Sequence, residues 1–426
     1  MNRILYTLLL YILAPFIWCY FIYRGFKDHH YLKGLQQRLG FSSLKPNKHT
    51  IHIHCASVGE TLAASSLIQN INIRYPKYRL VITTSTPTGR NEVIKLLKTL
   101  NQNHHQHCYL PVDWPGSCSR FIQRISPKIS LIIETEVWPN LLHQLSKKNI
   151  KSILINARLS KKSLNKYLKY DSFFKQVFSN FSVISAQYKT DKQNFLSLNI
   201  SPAKIHCTGN VKFDMTLDSQ LIEKQKQLKK QWSNKRPCWI AASIHPTEFE
   251  AVLSIHAQLL THFPNLLLIA VPRHNEYFKT LKQLANNKKI EFVNRTSDIN
   301  PTSHHSLVIG DTIGELTLMY GAADIAFIGG SLIERGGQNP IEPAACGLPV
   351  IIGNSYYNFK DVVNIMSQQS CIDIVTDKKD LFLILKKYYE NSKIAIDKKN
   401  NLLKLFNENR GAIDKNIKLL DKIFLL

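Results

Sequence analysis

The sequence predicts an α/β chain made of two successive doubly wound parallel-sheet units behind an apolar N-terminal segment. Two observations carry this. Short β-rich apolar runs alternate with amphipathic helical stretches along most of the chain, and the alternation pauses and restarts once, near residues 214–232. The length of 426 residues favours more than one domain. A hydrophobic fraction of 44% with 20% charged residues excludes a disordered chain.

In chain order, Leu5–Tyr23 carries no charge and is long enough to cross a hydrocarbon core as one helix. Aromatic residues gather towards its end (Phe16, Trp18, Tyr20, Phe21, Tyr23). Arg24, Lys27, Lys33 and Arg38 follow, against Arg3 before it. That bias predicts a single-pass N-terminal anchor, with the bulk of the chain on the cytoplasmic side; the alternative is a buried helix of the first domain, kinked at Pro15. Strands are expected within 51–57, 78–86, 107–112, 129–136, 152–159, 182–187 and 204–213. The Lys/Gln-rich stretch up to Trp232 reads as a solvated helix and linker. Strands resume within 237–243, 265–272, 290–294, 306–310, 323–330 and 348–353, and the tail from Ile372 reads as mostly helical. The expected division is an anchor over 1–23, a first domain over 24–215, a linker over 216–232 and a second domain over 233–426.

Lys and Arg number 55 against 30 Asp and Glu, a surplus of +25 that calls for anionic partners: nucleic acid, an acidic membrane, or phosphorylated and carboxylated substrates. Eight cysteines without a C-x-x-C pair read as reduced and buried.

Ligands of open α/β sheets bind beyond the carboxyl ends of the strands, which selects a few junctions. Cys55-Ala56-Ser57-Val58-Gly59-Glu60 combines small turn residues with a carboxylate in a first helical turn, where it either complements the helix dipole or does chemistry. Glu134 and Glu136 follow another strand; they share a face if the strand continues and diverge if a helix has begun. Pro272-Arg273-His274 places a guanidinium, suited to phosphate, at a strand end. Asp311-Thr312-Ile313-Gly314-Glu315 resembles a helix start open to an anion. Gly329-Gly330-Ser331 and Arg335 to Pro349 are glycine-dense, with Glu342 in a helical first turn able to accept ribose hydroxyls; neither a Walker loop nor G-x-G-x-x-G is present. His104 to Cys108 reads as a solvated loop, and His52 and His54 as satisfied core histidines.

In order along the chain, CASVGE (55–60), TTSTPTG (83–89), YLPVDWP (109–115), ETEVWPN (134–140), NARLS (156–160), GNVKFD (209–214), PRH (272–274), GDTIGEL (310–316) and GGSLIERGGQNPIEPAACGLPVIIG (329–353) resemble the Kdo transferases, the 3-deoxy-D-manno-octulosonic acid transferases of lipid A biosynthesis. The resemblance runs from the N-terminal segment to about Phe359. It implies a GT-B architecture, two Rossmann-like domains facing a cleft. It also implies an inverting glycosyltransferase moving Kdo from CMP-Kdo to the primary hydroxyl of lipid A precursor (lipid IVA) at the inner membrane. By resemblance Glu60 is the general base, and Glu134 and Lys212 stabilise the transition state. Pro272, Arg273, Ile313, Gly314, Glu315, Asn339, Pro340, Ile341 and Glu342 hold CMP. No cofactor or metal is implied. Three positions depart from the family pattern: Ile244 for threonine, Thr247 for glycine and Cys55 for alanine.

Two other functions are compatible with parts of this reading. A GT-B enzyme could use another nucleotide sugar. A basic membrane-tethered nucleic-acid binder would need basic and aromatic residues interleaved on one face. Here the basic residues spread through helical stretches such as 160–176, better suited to anionic lipid than to nucleic acid.

Overall fold

The strand runs of the first half pair side by side, all in parallel. They are β1 (Thr50–His54), β2 (Arg79–Thr84), β3 (Gln106–Tyr109), β4 (Ile129–Ile133), β5 (Lys151–Ala157), β6 (Val183–Ala186) and β7 (Ile205–Cys207). Their spatial order is β3-β2-β1-β4-β5-β6-β7, so the winding reverses between β1 and β4, where Ile51 faces Ile129. The structure, a computed structural model, describes residues 2–27, 29–100, 104–215, 217–233 and 236–424. Thr216, the first residue of the expected linker, and the Lys27 side chain lie outside them. Strands β1, β2 and β4 are buried along their whole length, because helices cover both faces of the sheet. One face packs Ile51, Ile53, Leu67 and Ile71; the other packs Leu154, Phe173, Phe178 and Phe195. His52 is a satisfied core histidine, bonded to Ser130 Oγ at 2.8 Å and Thr83 Oγ1 at 2.9 Å. His54 bonds Thr83 through Nδ1, while its buried Nε2 has no partner among the described residues. His105 and His107 are not solvated: His105 accepts the Leu80 N–H, and His107 bonds Thr84 Oγ1.

The second half repeats the plan with β8 (Cys238–Ile244), β9 (Leu267–Pro272), β10 (Phe292–Asn294), β11 (Leu307–Ile309), β12 (Ile325–Ile328), β13 (Val350–Gly353) and β14 (Ile372–Val375). The order is β10-β11-β9-β8-β12-β13-β14, again all parallel, with the reversal between β8 and β12. β14 falls where mostly helix was expected. Asp373 interrupts its apolar run and pairs with Lys398 at 2.7 Å.

Three further expectations are corrected. Residues expected to form one spanning helix form two, α1 (Arg3–Ile12) and α2 (Ala14–Lys27), bent by 52° at the break. Pro15, lacking an amide N–H, interrupts the helical hydrogen-bond ladder there. Among the described residues no single helix is long and apolar enough to cross a membrane; by length and composition the bent pair could do so together. α1 is fastened to the first sheet's helices along one face. Arg3 and Thr7 both reach Asn140 Oδ1 at 3.1 Å, and Tyr6 donates to Asp113 at 3.0 Å. Buried Asp113 also accepts the N–H groups of Asn140 and Leu141, the start of the Pro139–Lys147 helix.

The helix expected within the linker forms over Ser219–Trp232, but it is packed rather than solvated: it buries Leu228 and Trp232 and sends Gln225 to the Thr317 carbonyl. It is part of the second unit. The chain also returns at its end. One unit comprises Met1–Asp214 with Asn409–Leu426, the other Met215–Glu408, so the expected second domain of 233–426 loses its last helix. That helix, Ala412–Phe424, buries Ala412, Ile413 and Leu420 in the core of the first unit.

Candidate active site

Each reversal of winding opens the sheet beyond its strand ends, the place where such folds take ligands. In the first unit Glu60 follows β1 and Glu134 follows β4, so both stand at that reversal. Ser57 caps the Val58–Arg74 helix, and Glu60 lies in its first turn. The Glu60 carboxylate accepts the Ala56 N–H and lies 3.4 Å from the Ser57 hydroxyl. Complementing a helix start is thus one role of this residue, as a dipole argument expects. Its surroundings add another. Burial, and then the charges of Glu134 and Glu136, push its pKa up to about 8, against the lowering pull of the Ala56 N–H and Lys212.

β4 ends at Ile133, and Glu134 takes the left-handed backbone region with φ 60°. Glu134 and Glu136 therefore sit on neither a strand nor a helix, but in the turn between them. Lys212 comes from the short turn Val211–Phe213 and meets Glu134 Oε1 at 2.6 Å, with only 7% of its side chain exposed. The turn is hung from β5: Asn156 Oδ1 accepts the Val211 N–H at 3.1 Å, and Asn156 too is left-handed at φ 57°. Two non-glycine residues held this way cost about 1–3 kcal/mol each, and such strain gathers at functional sites.

In the second unit the reversal between β8 and β12 is closed by protein groups. Gly329 follows β12; a Cβ there would meet Ile244 Cα at 2.5 Å and the Ser243 carbonyl at 2.6 Å, so no side chain fits. Glu248, in the first turn of the Pro246–Leu260 helix, is buried and accepts four backbone N–H groups. They belong to His245 at 2.9 Å, Gly330 at 2.7 Å, and Ser331 and Leu332 at 3.2 Å. The amides of Gly330 and Ser331 are thus occupied by a carboxylate of the chain itself. Pro272 ends β9, and Arg273 beyond it is exposed. Ile313 is 79% exposed, and Gly314, at φ +83°, has open space where a Cβ would stand, with no heavy atom within 4 Å. Glu315 is held by Arg295 at 3.0 and 3.1 Å. Asn339 accepts the Ile341 N–H and donates to Glu342 Oε1, both at 3.0 Å, which fixes Pro340 to Glu342 as one turn.

Residues 33–215 match a family model described as "3-Deoxy-D-manno-octulosonic-acid transferase (kdotransferase)". A 3-deoxy-D-manno-octulosonic acid transferase of Haemophilus influenzae is 38% identical over 99% of this chain and 98% of its own length. The chain belongs to the Kdo transferase family. It is a glycosyltransferase. A second family member, from Bordetella pertussis, is 31% identical over 85% of each chain. Among solved structures, the C-terminal CMP-Kdo binding domain of WaaA from Acinetobacter baumannii is 26% identical over 44% of this chain and 98% of its own, with a TM-score of 0.43. The UDP-GlcNAc 2-epimerase of Neisseria meningitidis covers 88% of this chain and all of its own at TM-score 0.51 and 13% identity, a likeness of fold alone.

The three departures from the family pattern all have structural explanations. Ile244 packs in the core of the second unit with Trp239 and Phe249, Cys55 lies in the core of the first, and the Thr247 hydroxyl bonds His245 Nδ1 at 3.0 Å. Glu248, Asn156 and Asp113 are the polar residues that reading the sequence missed. The spacing of His245 and Glu248, three apart at a helix start, is a capping signal that could have pointed to Glu248.

Proposed function

We propose that this Kdo transferase moves Kdo from CMP-Kdo to the primary hydroxyl of lipid A precursor (lipid IVA), at the cytoplasmic face of the inner membrane. The observation that carries the mechanism is Glu60: a half-buried carboxylate, oriented by the Ala56 N–H, beside the Glu134–Lys212 pair at the winding reversal. Glu60 takes the hydroxyl proton as the acceptor oxygen bonds the anomeric carbon of Kdo. The bond from that carbon to the phosphate oxygen breaks with its electron pair, and CMP leaves with inversion. A base whose pKa lies near the working pH is ionised often enough to act and still strong enough to pull. Glu134 and Lys212, locked together, present fixed charge to the transition state without reorganising. Arg273, the open Ile313–Gly314 turn and the Asn339–Glu342 turn hold CMP, with Arg273 for phosphate and Glu342 for ribose hydroxyls.

Membrane attachment falls to α1 and α2. Ile12, Phe16 and Phe26 lie on their exposed side, 68–86% accessible, while the polar side of α1 is fastened to the protein. Such a face seats on a lipid surface, and the surplus of basic residues favours an anionic one. Incubation with CMP-Kdo and a tetraacylated lipid A precursor, followed by product mass, tests the whole reading. The acceptor should gain one or more Kdo residues as CMP appears. Turnover of a UDP-hexose with none of CMP-Kdo would overturn it.

A further inference from the structure

An apolar cavity of about 340 Å³ opens between the N-terminal helices and the strand ends of the first unit. Leu10, Ile17 and Phe21 line it from α1 and α2; Leu110, Val112 and Trp138 line it from beyond β3 and β4. Its volume is that of a small-molecule pocket. Two features separate it from an ordinary packing gap. Ser85, on its wall, donates its N–H to the Ala56 carbonyl, and Ala56 in turn donates to the Glu60 carboxylate. The wall is therefore within one strand spacing, about 4.8 Å, of the backbone that orients Glu60. The other feature is Arg38, which is 4% exposed and stacks between the Phe21 and Tyr109 rings at 4.5 and 4.4 Å. One of its nitrogens donates to the Ser85 carbonyl at 2.9 Å, and its Nε has no partner among the described residues. An unused donor on a buried guanidinium suits the oxygen-rich head of an amphiphile, in a mostly apolar wall whose one carboxylate, Asp113, is already taken up by the Tyr6 hydroxyl and the Asn140 and Leu141 N–H groups.

We propose that this cavity takes one acyl chain of the lipid acceptor, with the Arg38 Nε–H meeting an oxygen at the head of that chain. The proposal rests on the acceptor reading above and adds to it how the lipid is gripped. The chain enters from the side where α1 and α2 carry their exposed apolar residues, so it never crosses open water on its way from the bilayer. Its head then lies beside Glu60.

The test compares two acceptors, the acylated glucosamine disaccharide phosphate and its fully deacylated counterpart, with CMP-Kdo as donor. Ile17→Trp fills the cavity from a partly exposed helix position and should lower the ratio of kcat/KM for acylated over deacylated acceptor by tenfold or more. Phe21→Ala enlarges the cavity and should shift the preferred chain to a longer one in a series of acyl lengths. Thermal melting of each variant reports its folding. A ratio within threefold of the parent for a folded Ile17→Trp, or unchanged length preference in Phe21→Ala, overturns the proposal. Failure of the parent chain to use either acceptor would instead overturn the acceptor reading, so the two failures are told apart.

Discussion

Glu60 sets the terms at the scale of single residues. In the proposed mechanism its conjugate base does the work, so kcat/KM should rise with pH and level off above about 8, the value to which burial and two neighbouring carboxylates push it. The members of the adjacent ion pair pull in opposite directions. Lys212→Met removes a cation that lowers the Glu60 pKa and should move this limb to higher pH; Glu134→Gln removes an anion that raises it and should move the limb lower. A pH–rate profile of the two variants checks this, and a shift of the same sign in both would refute it. Glu60→Gln should cut transfer about 10²–10⁴-fold while CMP-Kdo affinity stays within a few-fold. A carboxylate whose folded pKa lies above its unfolded value gives stability that is complete below pH 4.5 and lost as pH rises through 8. Glu60→Gln should therefore melt higher than the parent at pH 9 and no differently at pH 4. Glu60 and Glu134 were legible from residue type and position at strand ends. Asn156 and Asp113 were not, because what distinguishes them is a backbone angle in one case and partners far along the chain in the other.

Among elements, the loop after β12 depends on a single side chain. Glu248→Ala would leave four backbone N–H groups without their acceptor, each costing about 1–3 kcal/mol if it stays buried. The loop should rearrange, with a lower melting temperature of the second unit and weaker CMP-Kdo binding, while affinity for the lipid acceptor holds. Calorimetric titration with donor and acceptor in turn measures both. At the other end of the chain, Phe16→Asp with Ile12→Asp places charge on the outer face of α1–α2 and should reduce co-sedimentation with anionic vesicles severalfold without altering melting. Most strands were legible as short apolar, β-rich runs, since burial on both faces favours one, and even the three-residue β7, β10 and β11 fell inside such runs. β14 escaped because Asp373 interrupts its apolar run, and the bend after α1 was legible only through Pro15, since hydropathy measures apolarity and is blind to a broken hydrogen-bond ladder.

For the molecule as a whole, the two-unit plan was legible because the strand–helix alternation restarts, but the ownership of the C-terminal helix was not. Periodicity shows that Ala412–Phe424 has an apolar face and says nothing of which core receives it. The answer lies in contacts 197 to 347 residues apart in sequence. Asp214 accepts the N–H groups of Gly411 and Ile413 at 2.8 and 2.6 Å, Asn409 Oδ1 accepts the Asn210 N–H at 2.7 Å, and Arg74 pairs with Asp421 at 3.1 Å. Removing residues 412–424 should therefore speed amide hydrogen exchange in β1, β2 and β4 and leave exchange in β8, β9 and β12 unchanged. Uniform acceleration of both sheets would contradict this assignment.

That return of the chain also orders events on the ribosome. Every strand of the first sheet is synthesised by Cys207, yet the helix that seals its core follows only after residues 215–408. At roughly 5–20 residues per second the wait is on the order of tens of seconds. Throughout it the nascent first unit shows an unsealed apolar patch where Ala412, Ile413 and Leu420 will dock, and the second unit, complete at Glu408, can close upon itself before that helix is made. The half of the enzyme that begins first is thus finished last, and it is the half whose new patch a holding chaperone would meet.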